Sequence, residues 1–90
     1  MDEERLEQLR ASLNAEYDWP VDYMFKFIMP NKPEVIEEVL AHFPTVVDCK
    51  RRTSSGGKYI SLTISENVDG PDLIFSRYTT VSSIHGVMAL

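Results

Sequence analysis

The sequence predicts an α+β domain in which two helices cover one face of a four-stranded antiparallel sheet, with an extra helix at the N-terminus. Three observations predict it. Apolar residues near the N-terminus recur at helical spacing, later segments alternate between apolar and polar residues, and two proline-led segments return to helical spacing. Ninety residues suit one such domain, because a smaller piece would bury too little apolar surface to fold.

The first helix is predicted over about residues 3–16. Its apolar positions recur at steps of three and four residues: Leu6, Leu9, Leu13 and Tyr17. Acidic residues at its start suit the positive end of the helix dipole. Trp19-Pro20 ends the helix, because the residue before a proline is pushed out of helical geometry. We therefore expect residues 1–18 to form a helical extension and residues 19–90 to form the domain proper.

From Val21 the sequence alternates with a period of two, which predicts a strand with one apolar and one mixed face. The face expected to point into the core carries Val21, Tyr23, Phe25, Phe27 and Met29. The other face carries Asp22, Met24, Lys26 and Ile28. A helix should follow, with Asn31 as its N-cap. Its buried stripe would be Val35, Ile36, Val39, Leu40 and Phe43.

The second half of the chain predicts two strands, a helix and a final strand. Residues 46–52 form the first of these strands, with Val47 and Cys49 expected on the inner face, and paired glycines at 56–57 make a turn. The next strand places Ile60, Leu62 and Ile64 inward, and Tyr59, Ser61, Thr63 and Ser65 outward. Pro71 opens the last helix, which carries Ile74, Tyr78 and Val81 on one side. Residues 84–90 are predicted as the final strand.

The resulting order, helix and then β-α-β-β-α-β, is the pattern of ferredoxin-like two-layer sandwiches. Right-handed crossovers place the first and third strands in the centre and both following helices on one face. The opposite face is left uncovered unless something packs there. The first helix, whose leucines need a partner, and a second protein are the two candidates, and the sequence does not decide between them.

Three segments resemble the YbeD-like bacterial proteins of unknown function. They are the opening strand from Trp19-Pro20 to Met29, the hairpin at residues 52–63, which is the most specific, and the strand at residues 84–90. The resemblance covers residues 19–90 and implies a ferredoxin-like fold similar to the regulatory ACT domains, with no established activity. An amino-acid site of the ACT kind would use backbone N–H groups after the first strand. Pro30 and Pro33 remove two such donors here.

Charge and cysteine content narrow the classes of function. The net charge of −5 disfavours binding to a phosphate backbone, so we expect no nucleic-acid partner. No apolar run approaches the length of a membrane span, and the acidic start is unlike a secretory signal. The single cysteine, Cys49, has no partner for an internal disulfide. We therefore expect a cytoplasmic protein without a membrane association.

The sharpest candidate site is a basic segment around the predicted hairpin. Its members are Lys50, Arg51, Arg52, Ser54, Ser55 and Lys58, with Lys26 and Tyr59 on the adjoining uncovered face. Cationic side chains, hydroxyls and backbone N–H groups around a glycine turn can hold an anion. Charged residues also serve simply to keep a hairpin edge solvated and unpaired. Both interpretations stay open from the sequence.

Nothing in the spacing of Cys49, His42 and His85 indicates a catalytic or metal-binding set, and we expect neither enzyme activity nor a cofactor. The leading hypothesis is a non-catalytic regulatory or interaction domain that acts through the uncovered sheet face and the basic hairpin. Its partner would be another protein or a second copy of the chain, as in a dimer. The alternative is a small-ligand sensor that binds an anionic metabolite or an amino acid in the manner of ACT domains.

Overall fold

A computed structural model describes residues 2–90 as three helices and one four-stranded sheet. The elements in chain order are α1 (Glu3–Glu16), β1 (Val21–Pro30), α2 (Pro33–Leu40), β2 (Val46–Thr53), β3 (Tyr59–Val68), α3 (Pro71–Ser82) and β4 (Met88–Ala89). The strand order is β2-β3-β1-β4, and every neighbouring pair is antiparallel. The predicted α+β fold, with the first and third strands in the centre, is confirmed.

The alternation in β1 and β3 builds the core. Phe25, Phe27 and Met29 of β1 are fully buried, and they lie opposite the buried residues Ile64, Leu62 and Ile60 of β3. Helices α2 and α3 add Ile36, Val39, Ile74 and Val81 to the same cluster. Burying a large apolar side chain contributes about 1.5–3 kcal/mol. The two central strands and the two helices over them therefore supply most of the stabilising burial.

Helix α1 packs on the helical side of the sheet. The Oδ1 of Asp2 caps its first turn by accepting from the N–H of Arg5 at 2.8 Å. Its leucines face Ile74, Phe75 and Tyr78 across a cleft of about 650 Å³, and Arg10 reaches Asp72 of α3 at 2.7 Å. No residue of α1 is fully buried. The question left open by the sequence is therefore answered: α1 lies against α3 and does not cover the other sheet face.

Two details of the ends of the elements differ from the sequence-based expectation. Asn31 is not the N-cap of α2; Lys32 stands there without a side-chain cap, and the Asn31 amide donates to the Gly57 carbonyl at 3.1 Å. The final strand is shorter than predicted, spanning only Met88–Ala89. Gly86, at a φ of +85°, turns the chain into this strand close beside Pro30, where an added Cβ would lie 3.1 Å from the proline ring.

The expectation for Val47 was wrong. A β-bulge between Val46 and Asp48 interrupts the pairing of β2 with β3, and Val47 is 61% exposed. The extra residue at a bulge resets the alternation. Cys49 follows it opposite Ile64 and packs half-buried against the core. Val47 and Cys49 therefore do not share a buried face.

Candidate binding surface on the uncovered sheet face

The sheet face opposite the helices, which we call the open face, consists of rows of side chains across the strands. One row runs from Lys50 of β2 through Thr63 of β3 to Lys26 of β1. The adjacent row contains Arg52, Ser61, Ile28 and Met88, from β2 across to β4. Residues that lie directly opposite one another on antiparallel strands point to the same face. The pairing thus brings together cations that are far apart in the sequence.

The part of the open face on β1 and β4 is apolar. Met24 is 56% exposed, and Met88 and Leu90 are each 65% exposed, with the half-buried Ile28 among them. The predicted outward set of β1 is confirmed in this position, since Asp22, Met24 and Lys26 are exposed. Large exposed apolar side chains grouped on one face are typical of contact surfaces.

The part on β2 and β3 is cationic. A cleft of about 310 Å³ is lined by Lys26, Lys50, Arg51, Arg52, Ser61, Thr63 and Leu90, none of which is acidic. Neighbouring strands lie about 4.8 Å apart, so the backbones of Lys26 and Lys50 are separated by roughly 10 Å, with Thr63 between them. Within residues 2–90, none of Lys26, Lys50 and Arg52 forms a salt bridge. We call these three residues and their opening the three-cation cleft.

Arg51 borders this cleft but differs from its neighbours in orientation. It pairs with Leu62, a core residue, whereas Lys50 and Arg52 pair with the outward residues Thr63 and Ser61. Successive side chains of a strand point to opposite faces. The side chain of Arg51 therefore leaves the edge strand on the side opposite those of Lys50 and Arg52, although all three residues line the cleft.

The hairpin residues form a turn beside the cleft. The Ser54 hydroxyl accepts from the Tyr59 N–H at 3.1 Å, and the Ser54 carbonyl accepts from Gly57 N–H at 2.9 Å. Of the two glycines only Gly57 has a positive φ, +73°. Ser55 is exposed, and Lys58 places its ammonium 5.9 Å from the Tyr59 ring centroid. These hairpin residues are not among those that line the three-cation cleft, so the predicted hairpin cradle does not coincide with it.

The residues considered for catalysis lie in three different parts of the fold. Cys49 is in β2, His42 follows α2 and His85 follows α3. In the part of the chain that the structure describes, no three His, Cys, Asp or Glu side chains are grouped as a metal site would require. No helix within residues 2–90 is both long and apolar enough to cross a membrane.

Comparison with known proteins identifies the family. The family described as "Protein of unknown function (DUF493)" matches residues 14–90. The chain belongs to this family. The match is consistent with the YbeD-like resemblance of the sequence, and it begins within α1 rather than at residue 19. The comparison with curated proteins gave no match.

The structure contains one polar cluster whose residues the sequence analysis did not single out as candidates. Glu66, in β3, is fully buried at a position where alternation calls for an apolar residue. Arg77 of α3 donates to both its oxygens, at 2.8 and 3.2 Å, and the Thr45 hydroxyl donates at 2.8 Å. Burial opposes ionisation of Glu66, but the hydrogen bonds and charge of Arg77 outweigh it and hold the pKa of Glu66 below its usual value. The sequence signal for this cluster was a charged residue at the same alternating positions of β3 as the core residues Leu62 and Ile64.

Tyr78 is the other perturbed group. Its ring lies 5.3 and 5.4 Å from those of Phe25 and Phe27, beneath the cleft between α1 and α3. Burial, with a smaller effect from Tyr23, raises the pKa of Tyr78 to about 12. The hydroxyl is therefore protonated throughout the physiological range. Both perturbed groups lie on the helical side of the sheet, so neither belongs to the open face.

Proposed function

We propose that the protein is a non-catalytic regulatory or interaction domain that binds a protein partner through its open face. The observation that supports this most is the exposure of Met24, Met88 and Leu90 on a sheet face that α1 leaves uncovered. Exposed apolar groups of this kind gain free energy when a partner removes them from water.

The composition of the open face indicates the kind of surface that complements it. Apolar residues lie on β1 and β4, and the three-cation cleft lies beside them. A partner with an apolar patch flanked by carboxylates would match both parts, because complementary charges steer association and fix its orientation. A second copy offers carboxylates of this kind, since Glu3, Glu4 and Glu7 are exposed on α1.

The test compares variants on the two sides of the molecule. Met24→Glu and Met88→Glu place a charge in the apolar part of the open face, while Ser76→Glu and Thr80→Glu change exposed positions of α3 as controls. Each purified protein is immobilised and exposed to lysate of the source organism. We expect a protein that wild type and both controls retain, with retention reduced about tenfold in the open-face variants, as for a contact worth 1–2 kcal/mol.

Equal retention by the open-face and control variants would contradict this proposal. Sedimentation of the purified proteins gives the same comparison for self-association: a dimer that Met24→Glu dissociates and Ser76→Glu does not would identify the partner as a second copy. A turnover that disappears in Cys49→Ser or His42→Ala would contradict the non-catalytic part.

A second candidate, a sensor of an anionic small molecule, is favoured by one specific observation. The three-cation cleft combines three cations without salt bridges and two hydroxyls. A sensor should gain thermal stability when its ligand is added, and the gain should grow with the logarithm of the ligand concentration above Kd. Titration calorimetry against anions is the direct test of this candidate.

A further inference from the structure

The three-cation cleft concentrates like charge in a protein that is acidic overall. Lys26 and Lys50 flank Thr63 in one row, and Arg52 lies two residues along β2 from Lys50. No two of these cations are directly opposite one another, but like charges at such separations still repel by Coulomb's law. No Asp or Glu side chain is among the described residues that line the cleft, although the protein has a net charge of −5. A bound anion would relieve this repulsion.

The groups around the cleft suit phosphate oxygens in particular. The Arg52 guanidinium presents a planar set of donors that can engage a phosphate with two hydrogen bonds, and the two lysines add compact positive charges. The Thr63 hydroxyl lies between the lysines at the centre of the row. The Ser61 hydroxyl donates to the Arg52 carbonyl at 3.3 Å, which ties the two neighbouring strands together beside the cleft.

The limits of the positive surface favour a small anion over a long one. Along the strands, the next outward residue of β2 is Asp48, two positions before Lys50, and on β1 Asp22 lies beyond Met24, four positions before Lys26. These carboxylates would repel a continuous phosphate backbone that ran along the sheet. In the other direction the cleft ends at the hairpin turn. The cleft volume of about 310 Å³ lies at the small end of the range of ligand sites.

We propose that the three-cation cleft binds a small anion with two or more linked phosphate groups. Two linked phosphates can reach cations whose backbones stand roughly 10 Å apart on β1 and β2, since lysine side chains are long and flexible enough to turn towards a ligand between them. A singly charged anion gains less, because its Coulomb attraction to the three cations is weaker and it reaches fewer of them at once. The inference rests on the proposed use of the open face and names a ligand class for its cationic part.

The probe is inorganic pyrophosphate, with inorganic phosphate and chloride compared at equal ionic strength. We expect calorimetry to detect pyrophosphate at millimolar concentration or below, and at least tenfold weaker binding of phosphate. Lys26→Gln, Lys50→Gln and Arg52→Gln should each weaken pyrophosphate binding about tenfold, the effect of losing one charge-assisted hydrogen bond. Lys32→Gln is the control, since it removes one positive charge at an exposed position outside the residues that line the cleft.

Two results would overturn the inference: no heat with pyrophosphate at millimolar concentration, or an effect of Lys32→Gln equal to that of Arg52→Gln. The ligand-free melting temperatures add an independent measure, because Lys50→Gln should leave thermal stability unchanged or raise it if the cations repel one another. A fall of several degrees would contradict that premise. Met24→Gln separates this inference from the proposed function, because it removes an apolar contact without adding a charge beside Lys26: it should weaken partner capture and leave pyrophosphate binding within about twofold of wild type.

Discussion

At the scale of single residues, the contact between Glu66 and Arg77 is the most consequential polar interaction in the interior. Glu66 is 0% exposed, and its oxygens accept hydrogen bonds from both Arg77 and Thr45. The Arg77 guanidinium also lies 5.8 Å from the Phe43 ring centroid. A buried carboxylate is tolerated only when such partners replace its hydration. The contact joins the sheet to α3 and to the segment that follows α2.

We therefore predict that Arg77→Ala destabilises the fold by about 3–5 kcal/mol at pH 7, because it leaves an uncompensated buried charge. Urea unfolding monitored by circular dichroism measures the loss. The exposed cation Arg51, changed to alanine, serves as the control and should cost less than about 1 kcal/mol. A loss below about 1 kcal/mol for Arg77→Ala would show that Glu66 is not held ionised by this partner.

The same contact determines a pH dependence. The pKa of Glu66 in the folded protein lies below its unfolded value of about 4.3, so its contribution to stability is present above that value. The contribution is lost as the pH falls through the folded pKa. The difference between wild type and Arg77→Ala should therefore be largest near neutral pH and shrink below about pH 4. A difference that stays constant with pH would contradict the assignment.

At the scale of the elements, α1 is the least firmly attached. It has no buried residue, a cleft of about 650 Å³ separates it from the domain, and its ion pair from Arg10 ends on an exposed carboxylate, Asp72. Exposed ion pairs contribute at most about 1 kcal/mol. The contacts of its half-buried leucines with α3 must hold it in place.

Hydrogen exchange should reflect this difference between elements. We predict that amides in α1 exchange at least a hundredfold faster than those of β1 and β3, since local opening of α1 exposes little apolar surface. Exchange measured by nuclear magnetic resonance resolves the two sets in one experiment, with α3 as the internal comparison. Protection of α1 equal to that of the central strands would mean that it unfolds only with the whole domain.

The elements also show where prediction from sequence succeeds. Clean alternation defined β1 and β3, and the proline at the start of α3 gave its first residue, because these signals are local. The bulge at Val47 and the short β4 depend on pairing with other strands, which periodicity does not encode. The position of α1 was open because its leucines fit either face of the sheet equally well.

The residues of the candidate site also separate into those that the sequence could place and those that depend on strand pairing. Arg51 was grouped with Lys50 and Arg52 by adjacency, although the alternation that placed Cys49 inward also places Arg51 away from its neighbours. The opposite orientation of Arg51 could therefore be predicted from the sequence. The meeting of Lys26 with Lys50 across Thr63 was not, since it requires the register of three strands. Glu66 was passed over because its partner, Arg77, comes from a different element.

At the scale of the whole molecule, the two sides of the sheet differ in charge and in whether helices pack over them. The helical side carries the acidic α1, the buried core and both perturbed titratable groups. The other side carries the apolar residues of β1 and β4 and the three-cation cleft, with no element of residues 2–90 packed over them. In the proposed function, one side of this DUF493-family domain supplies its stability and the other is the binding side.

Amide spectra of the isotope-labelled protein in lysate of the source organism test the central claim most directly, namely that the open face is the binding surface. We predict selective loss of signals around Met24, Lys26, Ile28 and Met88, because these residues would enter the slowly tumbling complex. Signals of the outer face of α3, at Ser76 and Thr80, should stay comparatively strong. Selective loss along α1 and α3 with the open face unaffected, or a spectrum equal to that in buffer, would contradict the account.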